Sequence, residues 1–323
     1  MSELAEYARR LHEQERRVYD RRLVPQRCGH AADTLKGIRA VIFDVYGTLV
    51  NYWRPGFESR ERREALLTEA FSEIVERFGM KDVLSKMNPG GAAADTLKDF
   101  YHGLVALNYE KSLDKDVKHP EVRIDEVWAV IALMLKRNGY DAAAGAPGGA
   151  DDLARRLAYT YNFLSMGRAL YPGAADALQK LKADNIVLGI MADGQFYTPL
   201  DLTLLIREQS GGKIDDYNEL FDADLTFFSY QYGFTKPSEV LYRRLFDALY
   251  EYNILPSQTL FVGNDLSTDI QPASMFGMKT ALFCGDDVMV FGGDVDIDAD
   301  IVPDIVFESW DELPELVSFY GET

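Results

Sequence analysis

The residues best suited to chemistry lie in four short segments. Asp44-Val45-Tyr46-Gly47-Thr48-Leu49 follows the apolar run Ala40-Val-Ile-Phe43, so an acid falls where a buried strand runs out and Gly47 supplies a tight turn. Leu170-Tyr-Pro-Gly-Ala174 opens a helix leading into Ile186-Val-Leu-Gly-Ile-Met191, and Ala192-Asp193-Gly194 follows. Gly233-Phe-Thr-Lys236-Pro237-Ser238 sets a lysine in a loop, with a proline at a helix start. Leu260-Phe-Val-Gly263-Asn264-Asp265-Leu-Ser-Thr-Asp269 ends a strand in a carboxylate cluster. Strand ends are where open α/β sheets bind their ligands. Taken singly, the first hexapeptide also reads as an N-cap aspartate, and Asp265 and Asp269 have a plainer reading as first-turn acids of a helix.

The elements that must position these residues alternate. Apolar, β-branched runs recur at Ala40–Phe43, Ile186–Met191, Leu225–Phe228, Thr259–Gly263, Thr280–Phe283 and Ile305–Phe307, with helical patterns such as Gly173–Ala183 and Ser238–Tyr252 between them. That order predicts an α/β fold, a Rossmann-like doubly wound parallel sheet. From about Trp53 to Arg168 no strand is visible, only helical periodicity at Glu58–Phe78, Thr96–Glu110, Ile124–Asn138 and Asp151–Leu164. Asn88-Pro-Gly-Gly91 and Ala142 to Gly149 read as turns in this interval. An all-helical block inserted after the first strand is expected to cap its carboxyl end. The predicted organisation is an N-terminal helical extension at 1–35, with an exposed helix over 2–22. A core domain at 36–52 and 169–323 and a helical cap domain at 53–168 complete it. The apolar face at Val127–Leu135 packs on the core or on a second chain, so a monomer or a homodimer is expected.

Through these motifs, in this order, the chain from about Arg39 to Val317 resembles the haloacid dehalogenase (HAD) superfamily of hydrolases with an inserted helical cap, in a DxYGTL variant of the first motif. The tail Pro303-Asp-Ile-Val-Phe-Glu-Ser-Trp-Asp-Glu-Leu-Pro-Glu-Leu316 is similar to the family's last strand and helix. The resemblance implies that Asp44 is a nucleophile forming a covalent intermediate that water later cleaves. Lys236 would neutralise the nucleophile–substrate pair. The Thr48 hydroxyl and backbone N–H groups after the turn would cradle phosphoryl oxygens, with Ala192, Asp193 and Gly194 lining the substrate. A Mg2+ cofactor would be held by Asp44, the Tyr46 carbonyl and Asp265, with Asn264 and Asp269 as further ligands or supports.

Three positions depart from the family pattern. Tyr46 replaces the aspartate that protonates an alkoxide leaving group in the phosphatases, and tyrosine there resembles the 2-haloacid dehalogenases, whose halide needs no proton. Ala192 replaces a hydroxyl residue, and Asn264 replaces the usual first aspartate after glycine. The acid-rich last motif favours phosphoryl chemistry, and a substrate with a good leaving group reconciles it with Tyr46. The leading expectation is therefore a Mg-dependent phosphatase acting on a small phosphorylated metabolite through an aspartyl-phosphate. The alternatives are a 2-haloacid dehalogenase working through an aspartyl ester, and a catalytically impaired binding module.

Composition narrows the partners. The chain has 323 residues, 47% hydrophobic and 27% charged, and a net charge of −18. So acidic a protein repels nucleic acid and anionic membrane surfaces, whereas a small anionic substrate can bind in a pocket of locally positive charge. The longest apolar run, Val127–Leu135, is too short to span a bilayer, and the N-terminus lacks a secretory h-region. Two cysteines, Cys28 and Cys284, allow no disulfide framework and suggest a reducing, cytoplasmic setting. Asp294, Asp296, Asp298 and Asp300 alternate like a calcium loop but lack its glycine and glutamate, and read as a solvated acidic loop. His12, His30, His102 and His119 lack zinc-ligand spacing. Arg54 and Arg60, beside Tyr52 and Trp53, could contact substrate or pack a hinge.

Overall fold

The structure, a computed structural model, describes residues 3–15, 22–25, 34–113, 117–286 and 302–318. It divides into two compact units, Met1–Tyr19 with Tyr52–Arg168, and Asp20–Asn51 with Ala169–Thr323.

The first unit is helical: α1 (Glu3–Gln14), α2 (Arg60–Arg77), α3 (Lys81–Met87), α4 (Ala93–Leu113), α5 (Ile124–Arg137), the single turn α6 (Ala142–Gly145) and α7 (Ala150–Ser165). Ser59 starts α2 by accepting the Arg62 N–H, and Asp141 starts α6 by accepting the Ala143 N–H. The stretch read as turns at 142–149 thus contains a helical turn, made possible by that cap. Val127, Trp128, Ile131, Ala132 and Leu135 of α5 are buried, and α5 packs within this unit against α7. Val130 and Leu133 remain exposed.

The N-terminal helix differs from expectation. It is not a free extension: Leu4, Ala8 and Leu11 are buried and α1 packs on α7. Tyr7 Oη pairs with Thr160 Oγ1 at 2.7 Å, and the Arg156 guanidinium lies 4.9 Å over the Tyr7 ring. The reason is the i, i+4, i+7 spacing of Leu4, Ala8 and Leu11, an apolar stripe that is stable only when covered. Residues 16–21 of the predicted helix, together with Cys28, His30 and the acidic run 294–300, lie outside the described residues.

The second unit carries a parallel sheet: β1 (Ala40–Phe43), β2 (Val187–Ala192), β3 (Thr226–Phe228), β4 (Thr259–Gly263), β5 (Lys279–Phe283) and β6 (Ile305–Phe307). The spatial order is β3-β2-β1-β4-β5-β6, all parallel, so the order reverses between β1 and β4. Among its helices are α8 (Ala174–Ala183), α9 (Thr198–Gln209), the turn α10 (Ser229–Tyr232) and α11 (Glu239–Glu251). The strands are almost wholly buried, as their unbroken apolar runs require. Beneath the sheet's carboxyl edge Phe43 packs 6.1 Å from Phe221 and 5.9 Å from Trp310, and Phe283 and Phe307 extend the aromatic layer. Burying each such ring is worth about 1.5–3 kcal/mol, which holds the strand ends rigid where the site begins.

Short strands at Val50–Asn51 and Ala169–Leu170 pair antiparallel where the helical insertion leaves and rejoins this unit. Cys284, buried just after β5, is disulfide-bonded. No helix among the described residues is long and apolar enough to cross a membrane.

Candidate active site

The residues following β1 and β4 share the sheet's carboxyl edge at the point where strand order reverses. Asp44 remains in the ladder, donating its N–H to the Val262 carbonyl at 2.9 Å, and is 5% exposed. Its Oδ1 accepts from Lys236 Nζ at 2.6 Å, and its Oδ2 accepts from the Thr48 hydroxyl at 3.0 Å. Lys236 Nζ also donates to Asp269 Oδ1 at 2.5 Å, and Asp269 Oδ2 accepts the Asp265 N–H at 3.1 Å. Lys236, Asp44 and Asp269 thus form a buried triad assembled from three distant segments.

Two glycines make this density possible. Gly47 has φ +91°, and a Cβ there would stand 2.4 Å from the Asn264 side-chain amide, so glycine lets Asn264 lie against the turn. A Cβ on Gly263 would meet the Asp269 carboxylate at 2.3 Å. Asn264 Oδ1 is also 3.1 Å from Thr48 Oγ1. With one proton to give, that hydroxyl favours the charged Asp44. Thr48 is fully buried, so it orients the carboxylate from behind.

The turn also corrects an expectation. Gly47 and Val50 close it by donating to the carbonyls of Val50 and Val45, at 2.9 and 2.8 Å. Thr48 and Leu49 donate to the Val45 carbonyl as well. These N–H groups satisfy the loop itself and do not form an anion cradle.

Asp193 leaves the end of β2 and is solvent-exposed, unlike the triad. Its Oδ1 accepts the Lys236 backbone N–H at 2.8 Å, tying the lysine loop to β2. The next residue, Gly194, donates its N–H to Ser229 Oγ at 3.0 Å. Ala192 is buried and presents only a methyl group. Asp265 caps the following π-helical turn, Leu266–Ile270, its Oδ1 accepting from the N–H groups of Ser267 and Thr268 and from the Ser267 hydroxyl. Oδ2 of Asp193 and Oδ2 of Asp265 have no hydrogen-bond partner among the described residues. Tyr46, half-buried, pairs its hydroxyl with Thr198 Oγ1 at 3.0 Å.

Electrostatics follow from this packing. Burial acts to lower Lys236, but Asp269, Asp44 and Asp193 overcome it and hold the ammonium well above the usual lysine range. Burial raises Asp269 to about 7, with Lys236 pulling downward and Asp44 adding to the rise. The protein around Asp193 raises its carboxyl, opposed by Lys236 and helped by Asp44 and Asp265, while the water that reaches it tempers the effect.

The sequence reading missed Tyr242, whose hydroxyl donates to the Thr268 carbonyl at 2.7 Å and secures the loop carrying Asp269. Its place on the buried face of α11, with Leu241 and Leu245, was a readable but ambiguous signal. Arg54, a substrate candidate, donates Nη1 to the Leu164 carbonyl at 2.5 Å and braces the helical unit, and Arg60 pairs with Glu64 on its surface. His102 packs its ring against Phe71 and Tyr101, and His12 packs against Phe163.

The sheet is parallel with its order reversed beside a lysine-bridged pair of aspartates, and the family model of haloacid dehalogenase-like hydrolases matches residues 38–277. The chain belongs to that family. It is 26% identical over 203 residues to glyceraldehyde 3-phosphate phosphatase of Pyrococcus furiosus, an overlap of 58% of this chain and 77% of that protein. The 2-haloacid dehalogenase of Pseudomonas syringae pv. Tomato DC3000 shares its fold at 21% identity and TM-score 0.50, over 86% of this chain and 97% of that one. A HAD phosphatase from Thermococcus onnurineus aligns at 17% identity and TM-score 0.42, again over 86% and 97%.

Proposed function

We propose that the protein is a magnesium-dependent phosphatase of a small phosphorylated metabolite, acting through an aspartyl-phosphate on Asp44. The observation that carries this reading is charge: Asp44, Asp193 and Asp269 act on one ammonium, Lys236, and Asp265 lies close enough to raise Asp193. That excess of carboxylate suits a hard divalent cation and opposes a carboxylate substrate. No three His, Cys, Asp or Glu side chains form a metal cage among the described residues, but magnesium commonly takes one or two carboxylates and leaves the rest of its shell to water and phosphate. Asp44, the Tyr46 carbonyl and the open Oδ2 of Asp265 would hold it, with Asn264 beside them. Asp269, both oxygens engaged, stands behind Lys236. Bound there, the ion would supply positive charge to the phosphoryl oxygens.

The chain's own residues do the rest. Lys236 and Thr48 fix the Asp44 carboxylate in one orientation, which converts a weak nucleophile into one held for in-line attack. Asp44 forms a bond to phosphorus as the ester P–O bond breaks, and water then attacks phosphorus and releases the carboxylate and inorganic phosphate. Tyr46 favours a second reading, hydrolysis of a 2-haloacid through an aspartyl ester, because its phenol is engaged with Thr198 and a halide needs no acid. The exposed Asp193 carboxylate argues against that substrate. The intact triad argues against a binding module without catalysis.

The test is phosphate release from phosphomonoesters and acyl phosphates, with and without magnesium, for wild type and Asp44→Asn. Metal-dependent release that falls about 10³-fold or more in the variant is expected. Metal-independent halide release from 2-haloacids would establish the second reading, and ligand binding without either product the third.

A further inference from the structure

We infer that Asp193 is a catalytic residue of this hydrolase, giving a proton to the departing alkoxide and taking one from the attacking water. The inference rests on the phosphatase reading and goes beyond it by naming the proton carrier. An alkyl phosphate loses an alkoxide that must be protonated as it leaves, so some group at the sheet edge must carry a proton. The neighbouring candidates are otherwise engaged. Asp44 is the nucleophile, and Lys236 is locked between two carboxylates. Asp269 has both oxygens bound within the protein, and Thr48 is buried behind Asp44. The Tyr46 phenol is turned to Thr198. Asp193 and Asp265 each keep an Oδ2 with no partner among the described residues; that of Asp265 is the oxygen assigned above to the cation, which leaves Asp193, the more exposed of the two.

Sheet register places it well. β1 and β2 pair in parallel with Phe43 opposite Ile190. Asp193 follows the end of β2 and Asp44 the end of β1, so neighbouring strands deliver the two carboxylates to the same carboxyl edge of the sheet. The proton carrier thus enters from the neighbouring strand. Its Oδ1 is fixed by the Lys236 N–H, which leaves Oδ2 as the working atom. Burial by the surrounding protein raises its carboxyl, opposed by the charge and backbone N–H of Lys236, with Asp44 and Asp265 adding to the rise.

The proton balance closes. Asp44 bonds to phosphorus, the ester P–O bond breaks, and the alkoxide leaves as an alcohol with the Asp193 proton. The Asp193 carboxylate then removes a proton from water as its oxygen attacks phosphorus. The bond from phosphorus to Asp44 breaks, giving inorganic phosphate, free Asp44 and reprotonated Asp193.

The experiment compares wild type, Asp44→Asn, Asp193→Asn and Asp193→Glu on an alkyl phosphate and on p-nitrophenyl phosphate across pH. Asparagine keeps the acceptor for the Lys236 N–H, so KM should change less than about threefold. For Asp193→Asn the alkyl phosphate kcat should fall about 10²–10³-fold and lose its alkaline limb. The nitrophenyl substrate should show a burst of nitrophenolate, one per enzyme, before slow turnover. Glutamate should restore part of the alkyl activity. An unchanged pH profile with equal slowing of both substrates and no burst would overturn the assignment while leaving the phosphatase reading intact, provided Asp44→Asn is inactive. Asparagine and glutamate variants equally impaired would also overturn it. Wild type releasing phosphate from neither substrate would sink both readings.

Discussion

Replacing Lys236 with methionine isolates the energetics of the site from its chemistry. The ammonium is 3% exposed and lies 2.6 Å from an Asp44 oxygen and 2.5 Å from an Asp269 oxygen, both carboxylates nearly as buried. At an effective dielectric near 20, each contact is worth roughly 6 kcal/mol of gross attraction. Most of that offsets the loss of hydration, and breaking a buried pair on one side costs about 3–5 kcal/mol net. For a unit of this size that predicts a midpoint lower by about 6–20 °C. The penalty depends on pH with a definite sign. Lys236 stays charged across the neutral range because its pKa is held well above normal, so the carboxylates alone set the dependence. Asp269 sits at about 7 even with the lysine present, against 3.8 for a free aspartate. Its folded-state pKa is raised further once the lysine is gone. An acid raised in the folded state binds its proton more tightly there than when unfolded, so the variant loses stability as pH rises from 4 through and beyond 7. Lys236→Met should therefore be strongly destabilised at pH 8 and close to wild type at pH 5. Thermal and urea unfolding followed by circular dichroism at the two pH values checks this. A gap that is the same at both, or smaller than about 1 kcal/mol at pH 8, refutes the view that Lys236 neutralises buried carboxylates.

Other variants test the supports. Gly47→Ala adds a methyl where φ is +91° and the Asn264 amide stands 2.4 Å away. It should lower stability by about 1–3 kcal/mol and phosphate release at least tenfold, and a variant with wild-type midpoint and rate would show that Asn264 moves aside freely. Leu11→Ala removes a side chain only 2% exposed and should destabilise the helical unit by about 2–4 kcal/mol, seen as faster proteolysis within residues 52–168. Met275→Ala, at 76% exposure, is the control and should leave unfolding within about 0.5 kcal/mol of wild type.

The sequence alone located the strands, because fully buried parallel strands read as unbroken apolar runs, and therefore located the acids at their ends. Asp44, Asp193, Lys236, Asn264, Asp265 and Asp269 were all visible as polar residues breaking such runs or beginning the loops after them. The α/β alternation and the helical insertion were legible for the same reason: periodicity reports burial along one dimension. That also explains the errors. Periodicity showed an apolar stripe on α1 but not that α7 covers it. It likewise left Arg54 open between substrate and packing until its guanidinium met the Leu164 carbonyl.

Partner choice is what only the tertiary structure decided. The fold brings Lys236 to Asp44 and Asp269 at once, turns the Thr48 hydroxyl inward, closes the turn's N–H groups on its own carbonyls and leaves one oxygen of Asp193 open. Residue types set which interactions are chemically possible. Which of them form depends on register between strands far apart in the chain and on the close approaches that Gly47 and Gly263 permit, and those distances exist only in three dimensions.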